Sequence, residues 1–257
     1  AIGDGKHDDT AAFVAALSFL TRSGGGVLHV PQTKPEEESV YTTMPLKITT
    51  SNITIRLDTG ARMLARCNIS LWPVGDPWLN FEQGPQYVPY LHVVNVTDFV
   101  MEGGGTVDGN GTCFWSQVHG HQSNLKYERP RLIVVEGVVR TAVTGITVTN
   151  SPYWTLVFYE STDVHVSNIT VDNPSGGKGP CSNTTVDCYG PNADGIDLVS
   201  VERALIEDSH ITAGDDCVCI KSGVNDAGRR FHRAAKDILV RNMSLHSCSC
   251  PHVFKGM

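Results

Sequence analysis

The stretches GITVT at residues 145–149 and NITV at 168–171 alternate apolar and polar side chains in the same way, and their first residues lie 23 positions apart. Such alternation predicts a half-buried β-strand. The same shape recurs at residues 52–57, 95–101, 210–213 and 242–245. A repeat of this period predicts a solenoid whose turns stack their strands on the turn below. The sequence therefore predicts an all-β fold, specifically a parallel β-helix.

The later intervals between these stretches are longer than one coil. They predict a loop insertion at residues 174–191, closed by Cys181 and Cys188, and a second loop around residues 224–235. The alternative architecture is a β-sandwich, which also contains many short strands. The coil-sized period, the few two-residue hairpin turns and a predicted helix over residues 8–20 favour the β-helix, because that helix can cover the open first coil.

Composition limits the classes of function. The chain has 257 residues, of which 40% are hydrophobic and 18% charged, and no apolar stretch is long enough to cross a bilayer. We therefore expect one domain over residues 1–257 and no membrane partner. The net charge of −7 argues against nucleic acid as a partner. An anionic substrate requires a locally basic cleft.

Eight cysteines occur at spacings that do not match a zinc site, so disulfide bonds are the better interpretation. Asn-x-Ser/Thr sequons are glycosylation candidates in secreted proteins. They begin at Asn52, Asn68, Asn95, Asn110, Asn168, Asn183 and Asn242. Cysteines and sequons together predict a secreted, extracellular glycoprotein.

Two acidic segments, Asn192-Ala193-Asp194-Gly195 and Gly214-Asp215-Asp216-Cys217, lie about one coil apart. In a β-helix this spacing places them on neighbouring rungs, with backbones about 4.8 Å apart. Carboxylates this close cannot all ionise freely, so one pKa rises and an acid stands beside ionised partners. Glycoside hydrolysis uses this division between an acid and a base.

Two other interpretations of the acidic segments remain open. Acidic residues are common in surface turns, where they have no chemical role. Clustered carboxylates on a solenoid can also hold a calcium ion. The residues that could supply its oxygens are Asp194, Asp197, Asp215 and Asp216.

Several motifs along nearly the whole chain, in order, resemble glycoside hydrolase family 28, the polygalacturonase family. They are Gly3-Asp4-Gly5 with Asp8-Asp9-Thr10, Gly24-Gly25-Gly26, the segment from Gly105 to Gly111, Arg129-Pro130-Arg131, Asn150-Ser151-Pro152-Tyr153-Trp154, and the two acidic segments. The resemblance implies a right-handed, single-stranded parallel β-helix that hydrolyses α-1,4-galacturonan in pectin with inversion and without a metal or other cofactor. It further implies a cell-wall location, and we expect a monomer.

The resemblance also assigns roles to residues. It makes Asp215 the general acid and lets Asp194 and Asp216 activate water, with Asn192 in the same motif as a substrate contact. His252, in Pro251-His252-Val253, corresponds to the histidine of the family's Gly-His-Gly motif. Cys248 lies four residues before that histidine, as a family cysteine does, and is expected to bridge to Cys217.

The family's Arg-x-Lys pair, which binds a substrate carboxylate, lies in coils beyond those that match this chain, which stops at Met257. We therefore expect the C-terminal coils to be missing. Lys221, Arg229 and Arg230 are alternative candidates for contacts with galacturonate. The sequence leaves open a calcium-dependent pectate lyase on the same fold and a noncatalytic polysaccharide-binding solenoid. It also leaves open whether cleavage is internal or from chain ends.

Overall fold

The computed structural model describes residues 1–77, 81, 84–119, 122–173, 192–247 and 254–256. The chain winds as a right-handed parallel β-helix, which confirms the predicted fold. Each complete coil runs in turn through three parallel sheets, which we call sheet 1, sheet 2 and sheet 3.

The strands of each sheet stack in parallel from coil to coil. Sheet 1 contains Leu46–Ile48, Leu91–Val94, Ile133–Glu136, Leu156–Tyr159, Ile196–Val199, Val218–Lys221 and Phe254–Gly256. Sheet 2 contains Gly26–Val30, Ile53–Leu57, Thr97–Gly103, Val139–Thr144, Thr162–Ser167 and the first halves of Glu202–Ala213 and Lys236–Ser247. Sheet 3 contains Asp4–Asp8, Ser39–Thr43, Ala61–Ala65, Thr106–Asp108, Thr147–Thr149, Thr170–Asp172 and the second halves of the same two long strands. Because Glu202–Ala213 runs through both, sheets 2 and 3 form one 13-stranded sheet.

The core is a column of apolar side chains inside the coils. Val107, Val148, Val171 and Ile211 occupy the same position in successive coils of sheet 3, and all four are fully buried. Parallel in-register pairing places like residues on top of one another, so the alternation that predicts strands also builds this column. Both stretches quoted at the start form rungs of sheet 3, paired from Thr147 to Thr170.

A helix at Thr10–Arg22 covers the first coil, close to the predicted position. Phe13 and Leu20 are buried in the core, and Leu17 packs against it. The predicted start was two residues too early, because Asp8 belongs to the strand Asp4–Asp8. Covering this end protects strand edges that would otherwise be free to pair.

The remaining elements are short. They are the helices Thr112–Trp115 and Asn225–Phe231, the 3-10 helix Ile69–Leu71, and the antiparallel pairs Val74–Gly75 with Gln86–Tyr87 and Val118–His119 with Gln122–Ser123. The predicted loop at 224–235 thus contains a helix. No helix among the described residues is long and apolar enough to span a membrane.

Asparagines mark corners of the coil. Four sequon asparagines have φ values between 50° and 59° and exposed side chains: Asn52, Asn95, Asn168 and Asn242. Asn tolerates this left-handed region better than most residues, which explains why it recurs beside the strands. Asn68 and Asn110 are half-buried, and Asn183 lies outside the described residues.

One disulfide joins Cys67 to Cys113, with Cα atoms 5.6 Å apart; the sequence predicted disulfides but not this pairing. Cys217 is a buried free thiol, so the predicted bond to Cys248 is not formed in this structure. Cys248 itself lies outside the described residues, as do Cys181, Cys188 and the predicted insertion at 174–191.

Candidate active site

The acidic segments lie on neighbouring rungs, as predicted from their spacing. Asp194 precedes the strand Ile196–Val199, and Asp215 and Asp216 precede the next strand of sheet 1, Val218–Lys221. The backbone N–H of Gly195 donates to the carbonyl oxygen of Asp216 at 2.9 Å. All three carboxylates therefore meet at the corner where the chain enters sheet 1.

Gly195 makes this close approach possible. A Cβ atom at this position would lie 2.5 Å from the carbonyl oxygen of Cys217 and 2.5 Å from the Ile211 side chain. Both distances are well inside van der Waals contact, so only glycine fits between the rungs. The adjacent Asp194 is thereby held against the rung that carries Asp216.

Asp194 and Asp216 form a buried pair, with only 4% and 3% of each residue exposed. Their facing carboxylate oxygens lie within 4.8 Å of each other. The thiol of Cys219 lies between them, with Sγ 3.5 Å from Oδ2 of Asp194 and 3.3 Å from Oδ2 of Asp216. The two carboxylates thus lie close together, both in contact with the same thiol.

Asp215 is half-buried and is held separately from this pair. Nδ2 of Asn192 donates to its Oδ2 at 3.1 Å, while Oδ1 of Asn192 accepts a hydrogen bond from Nη2 of Arg129 at 3.1 Å. Asn192 is exposed beside the carboxylates, where the resemblance places a substrate contact. The chain Arg129–Asn192–Asp215 fixes the orientation of the third carboxylate.

Lys221 does not occupy the position expected of a substrate contact. Only 3% of the residue is exposed, and its ammonium group hydrogen-bonds to Asp197 and lies 3.5 Å from Oδ2 of Asp194. The same group lies 3.7 Å from the ring centroid of Trp154. The assignment of Lys221 as a galacturonate contact is therefore corrected: it is an internal cation that neutralises carboxylates.

The charges within the centre are strongly coupled. Burial raises the pKa of Asp194 well above its usual value, and the nearby charge of Asp197 raises it further, while Lys221 opposes both. Burial also raises the pKa of Asp197, against the attraction of Lys221. For Lys221, burial alone would lower the pKa, but attraction by Asp197 and Asp194 outweighs it, and the pKa is raised. A carboxylate with a raised pKa is a stronger proton acceptor once ionised, as a general base requires.

The donor set does not fit calcium. The ammonium group of Lys221 already lies against Asp194 and Asp197, two of the four residues considered for a calcium site. Among the described His, Cys, Asp and Glu side chains, those close enough to share an ion are the carboxylates of Asp194 and Asp216 together with the Cys219 thiol. Calcium prefers a shell of six or more oxygens, and a thiol is a poor ligand for it.

Aromatic side chains cover the outer face of sheet 1 beside the carboxylates. Tyr153 and Trp154 stack with ring centroids 5.4 Å apart, and the guanidinium groups of Arg129 and Arg131 lie over these rings. Trp154 is only 7% exposed. This apolar cover removes water from around Lys221 and strengthens its interaction with the carboxylates.

A groove continues over the earlier coils of sheet 1. A cavity of about 520 Å³ is bordered by Lys47, His92, Glu136, Tyr159 and Glu160. Nε2 of His92 lies 2.7 Å from Oε2 of Glu136. The cavity reaches the ends of the strands Ile133–Glu136 and Leu156–Tyr159, so a ligand on this face of the solenoid has room there.

Sequence reasoning gave no catalytic role to Asp197 and passed over Cys219, although a signal was present. The register pairs Ile196 with Val218 and Asp197 with Cys219. Side chains alternate between the inner and outer faces of each strand, and the two strands are offset by 22 residues. Together these two facts place Asp197 beside Cys219 on the outer face, next to Asp194. The predicted His252 lies outside the described residues.

The geometry can be compared with that of known proteins. A profile described as "Glycosyl hydrolases family 28" matches residues 30–246. The chain belongs to this family. It is 32% identical to a probable polygalacturonase of Vitis vinifera over 98% of its own length and 48% of that protein. A polygalacturonase of Chamaecyparis obtusa is 28% identical over 87% of this chain and 38% of its own length.

Solved structures share the fold. An exopolygalacturonase from Thermotoga maritima superposes with a TM-score of 0.77 at 26% identity, over 94% of this chain and 57% of that structure. A polygalacturonase from Erwinia carotovora gives a TM-score of 0.67 at 21% identity, over 93% and 60% of the two chains. The chain spans about half the length of the curated relatives it matches.

Proposed function

We propose that this chain carries the acid–base centre of a hydrolase that cleaves α-1,4-galacturonosyl linkages of pectin with inversion at the anomeric carbon. The observation that carries the proposal is the convergence of three carboxylates at one corner of sheet 1, two of them buried together and one held apart. The names of the matched relatives, polygalacturonase and exopolygalacturonase, support galacturonan as the substrate.

Each carboxylate has a distinct role in the proposed reaction. Asp215, the more accessible one, donates a proton to the glycosidic oxygen as the bond from that oxygen to the anomeric carbon breaks. A water molecule beside Asp194 and Asp216 attacks the anomeric carbon from the opposite face and gives up a proton to this pair. Inverting glycosidases use such an arrangement, with room for water between the base and the sugar.

Lys221 supplies a positive charge beside the carboxylates, so the proposed hydrolysis does not depend on a metal ion for that charge. Its ammonium group supplies the positive charge that offsets the buried carboxylates Asp194 and Asp197. It therefore helps Asp194 to lose its proton before each reaction cycle, because a neighbouring cation favours the ionised form. No cofactor is needed for a proton donor and a proton acceptor to act on water.

The proposal is tested by the release of reducing sugar from polygalacturonate by the 257-residue chain. Asp215→Asn is expected to lower the rate by about 10²–10⁴-fold, the range typical for loss of general acid–base catalysis. Asp163→Asn, in the strand Thr162–Ser167 of sheet 2 with its side chain 41% exposed, is the matched control and should retain the rate. Equal rates for Asp215→Asn and the unmodified chain would contradict the proposal.

The same assay separates the other candidate functions. A lyase would yield unsaturated, ultraviolet-absorbing products and lose activity in a chelator. A noncatalytic solenoid would bind polygalacturonate without turnover. The anomeric form of the first product, followed by NMR, tests inversion.

We further propose that the protein is a secreted, cell-wall-directed glycoprotein that acts as a monomer. The Cys67–Cys113 disulfide supports an oxidising compartment. The exposed corner positions of Asn52, Asn95, Asn168 and Asn242 leave room for glycans. Polysaccharide is then the only partner required for the activity.

A further inference from the structure

The negative charge of the proposed substrate has no obvious partner at the carboxylate centre. The chain has a net charge of −7, and galacturonan is itself a polyanion. Lys221 is already engaged by Asp197 and Asp194, and the buried Arg129 donates to the backbone of Pro152 and to Asn192. Substrate carboxylates therefore need accessible cations elsewhere along the groove.

Such cations surround a second cavity. Its volume is about 580 Å³, and it lies beside the loop that follows the strand Val218–Lys221. Its polar lining includes Ser222, Asn225, Arg229, His232 and Arg233, and we call this feature the basic pocket. Arg229 and His232 are exposed, and Arg233 is half-buried.

The basic pocket is held firmly against the groove. The helix Asn225–Phe231 forms one side of it, and the ring of Phe231 stacks on Tyr159 with centroids 6.5 Å apart. Val224, just before the helix, packs against the apolar cluster on the outer face of sheet 1. Because Tyr159 also lines the groove of about 520 Å³, the pocket and the groove are neighbours.

The arginines keep hydrogen-bonding capacity for a ligand. Arg229 pairs with Asp226, but both side chains are more than half exposed, and exposed pairs of this kind are weak. Arg233 lies 4.0 Å from Glu160 and donates a 3.3 Å hydrogen bond to the hydroxyl of Thr162. A guanidinium carries several N–H donors in a planar fork, so donors remain that suit a carboxylate.

We propose that the basic pocket binds a carboxylate of an acidic saccharide at the edge of the groove, as a subsite separate from the catalytic centre. This inference rests on the proposed function for the identity of the saccharide. The strand Val218–Lys221 separates Asp216 from Ser222, so the pocket lies at the opposite end of this strand from the carboxylate pair. The pocket therefore contributes to binding and not to the bond-breaking step.

The experiment measures binding without turnover. In the Asp215→Asn background, calorimetry gives the affinity for trigalacturonate and polygalacturonate at low and at physiological salt. Adding Arg229→Gln and Arg233→Gln is expected to weaken binding of polygalacturonate by about tenfold at low salt, with a smaller effect at higher salt. Arg140→Gln with Arg203→Gln, two exposed side chains on strands of sheet 2, removes the same charge and should leave the affinity unchanged.

Two results would overturn the inference. One is an affinity of the pocket variant equal to that of the sheet 2 control. The other is an equal loss of affinity for fully methyl-esterified pectin, which has no free carboxylates. Matching thermal unfolding midpoints show that each variant is folded. If the chain binds through the pocket but hydrolyses nothing, only the proposed function is contradicted. If the chain hydrolyses polygalacturonate and the pocket variant binds as tightly as before, only this inference is contradicted.

Discussion

Oppositely charged residues from successive coils meet on the exposed face of sheet 2 and on the outer face of sheet 1, with opposite consequences. Near the starts of the sheet 2 strands, Asp98 pairs with Arg140 and Asp163 pairs with Arg203, each at 2.7 Å, with side chains 41–58% exposed. On the outer face of sheet 1, the side chains of Lys221 and its two carboxylate partners are at most 5% exposed. Coil spacing brings charges together in both places, but only burial makes their interaction strong enough to alter chemistry.

The physical reason is the surrounding medium. Water and salt screen the sheet 2 pairs, so each partner is almost as stable alone as paired. At sheet 1 the protein replaces water, so a carboxylate left without its cation has nothing to stabilise its charge. We call the first set the sheet 2 ladder and the second the buried centre, and the following variants test the contrast between them.

The largest effect is expected for Lys221→Met. The variant leaves Asp197 buried without its cation, and breaking a buried pair typically destabilises a protein by about 3–5 kcal/mol. Urea unfolding followed by circular dichroism measures the loss. The double variant Lys221→Met/Asp197→Leu should regain part of the stability, because Asp197 is then no longer an unpaired charge and only Asp194 remains without the cation. A single variant that unfolds at the same urea concentration as the parent would show that the contrast is wrong.

An intermediate effect is expected in the pH dependence of stability. The folded state raises the pKa of Asp194 above its usual 3.8, so between that value and the raised pKa the folded chain binds the proton more tightly than the unfolded chain. Protonation of Asp194 therefore stabilises the folded chain. This stabilisation is complete below pH 3.8 and is lost as the pH rises through the raised pKa of the folded state. Asp194→Asn should therefore lose less stability than the parent over that window, measured by urea midpoints at successive pH values. Parallel curves for the two proteins would refute the assignment.

The same contrast shows what sequence could and could not predict. The coil period placed the segments of Asp194 and Asp216 on neighbouring rungs, because rung spacing depends only on chain length and on the alternation within strands. The burial of Lys221 was not predictable in this way, because the cover comes from Trp154 on an earlier coil. An outward-facing lysine normally reaches water, and nothing in the strand Val218–Lys221 reveals the aromatic cover above it.

Pairing across coils was also beyond local patterns. The strands that precede Cys67 and Cys113 lie on adjacent rungs, with Leu64 opposite Asp108. The two cysteines nevertheless lie 46 residues apart, which is twice the coil period. The chain between them therefore makes an excursion outside the regular coil. Register, and with it the disulfide partner, therefore depends on how that excursion folds. Ile196 and Val218 are paired across a single coil without such an excursion. The sequence therefore predicts that the acidic segments lie on neighbouring rungs, but it does not predict the disulfide partner.

The smallest effect is expected in the sheet 2 ladder. Arg203→Gln removes a guanidinium that contacts Asp163 and Glu202, yet all three groups remain open to solvent. Water can replace the lost hydrogen bonds, so we expect no resolvable shift in the urea midpoint at physiological salt and only a slight loss at low salt. Lys221→Met measured in parallel provides the buried counterpart. If the loss for Arg203→Gln approached that for Lys221→Met, or persisted in high salt, the ladder would be acting as one cooperative network, and burial would not be what separates the two regions.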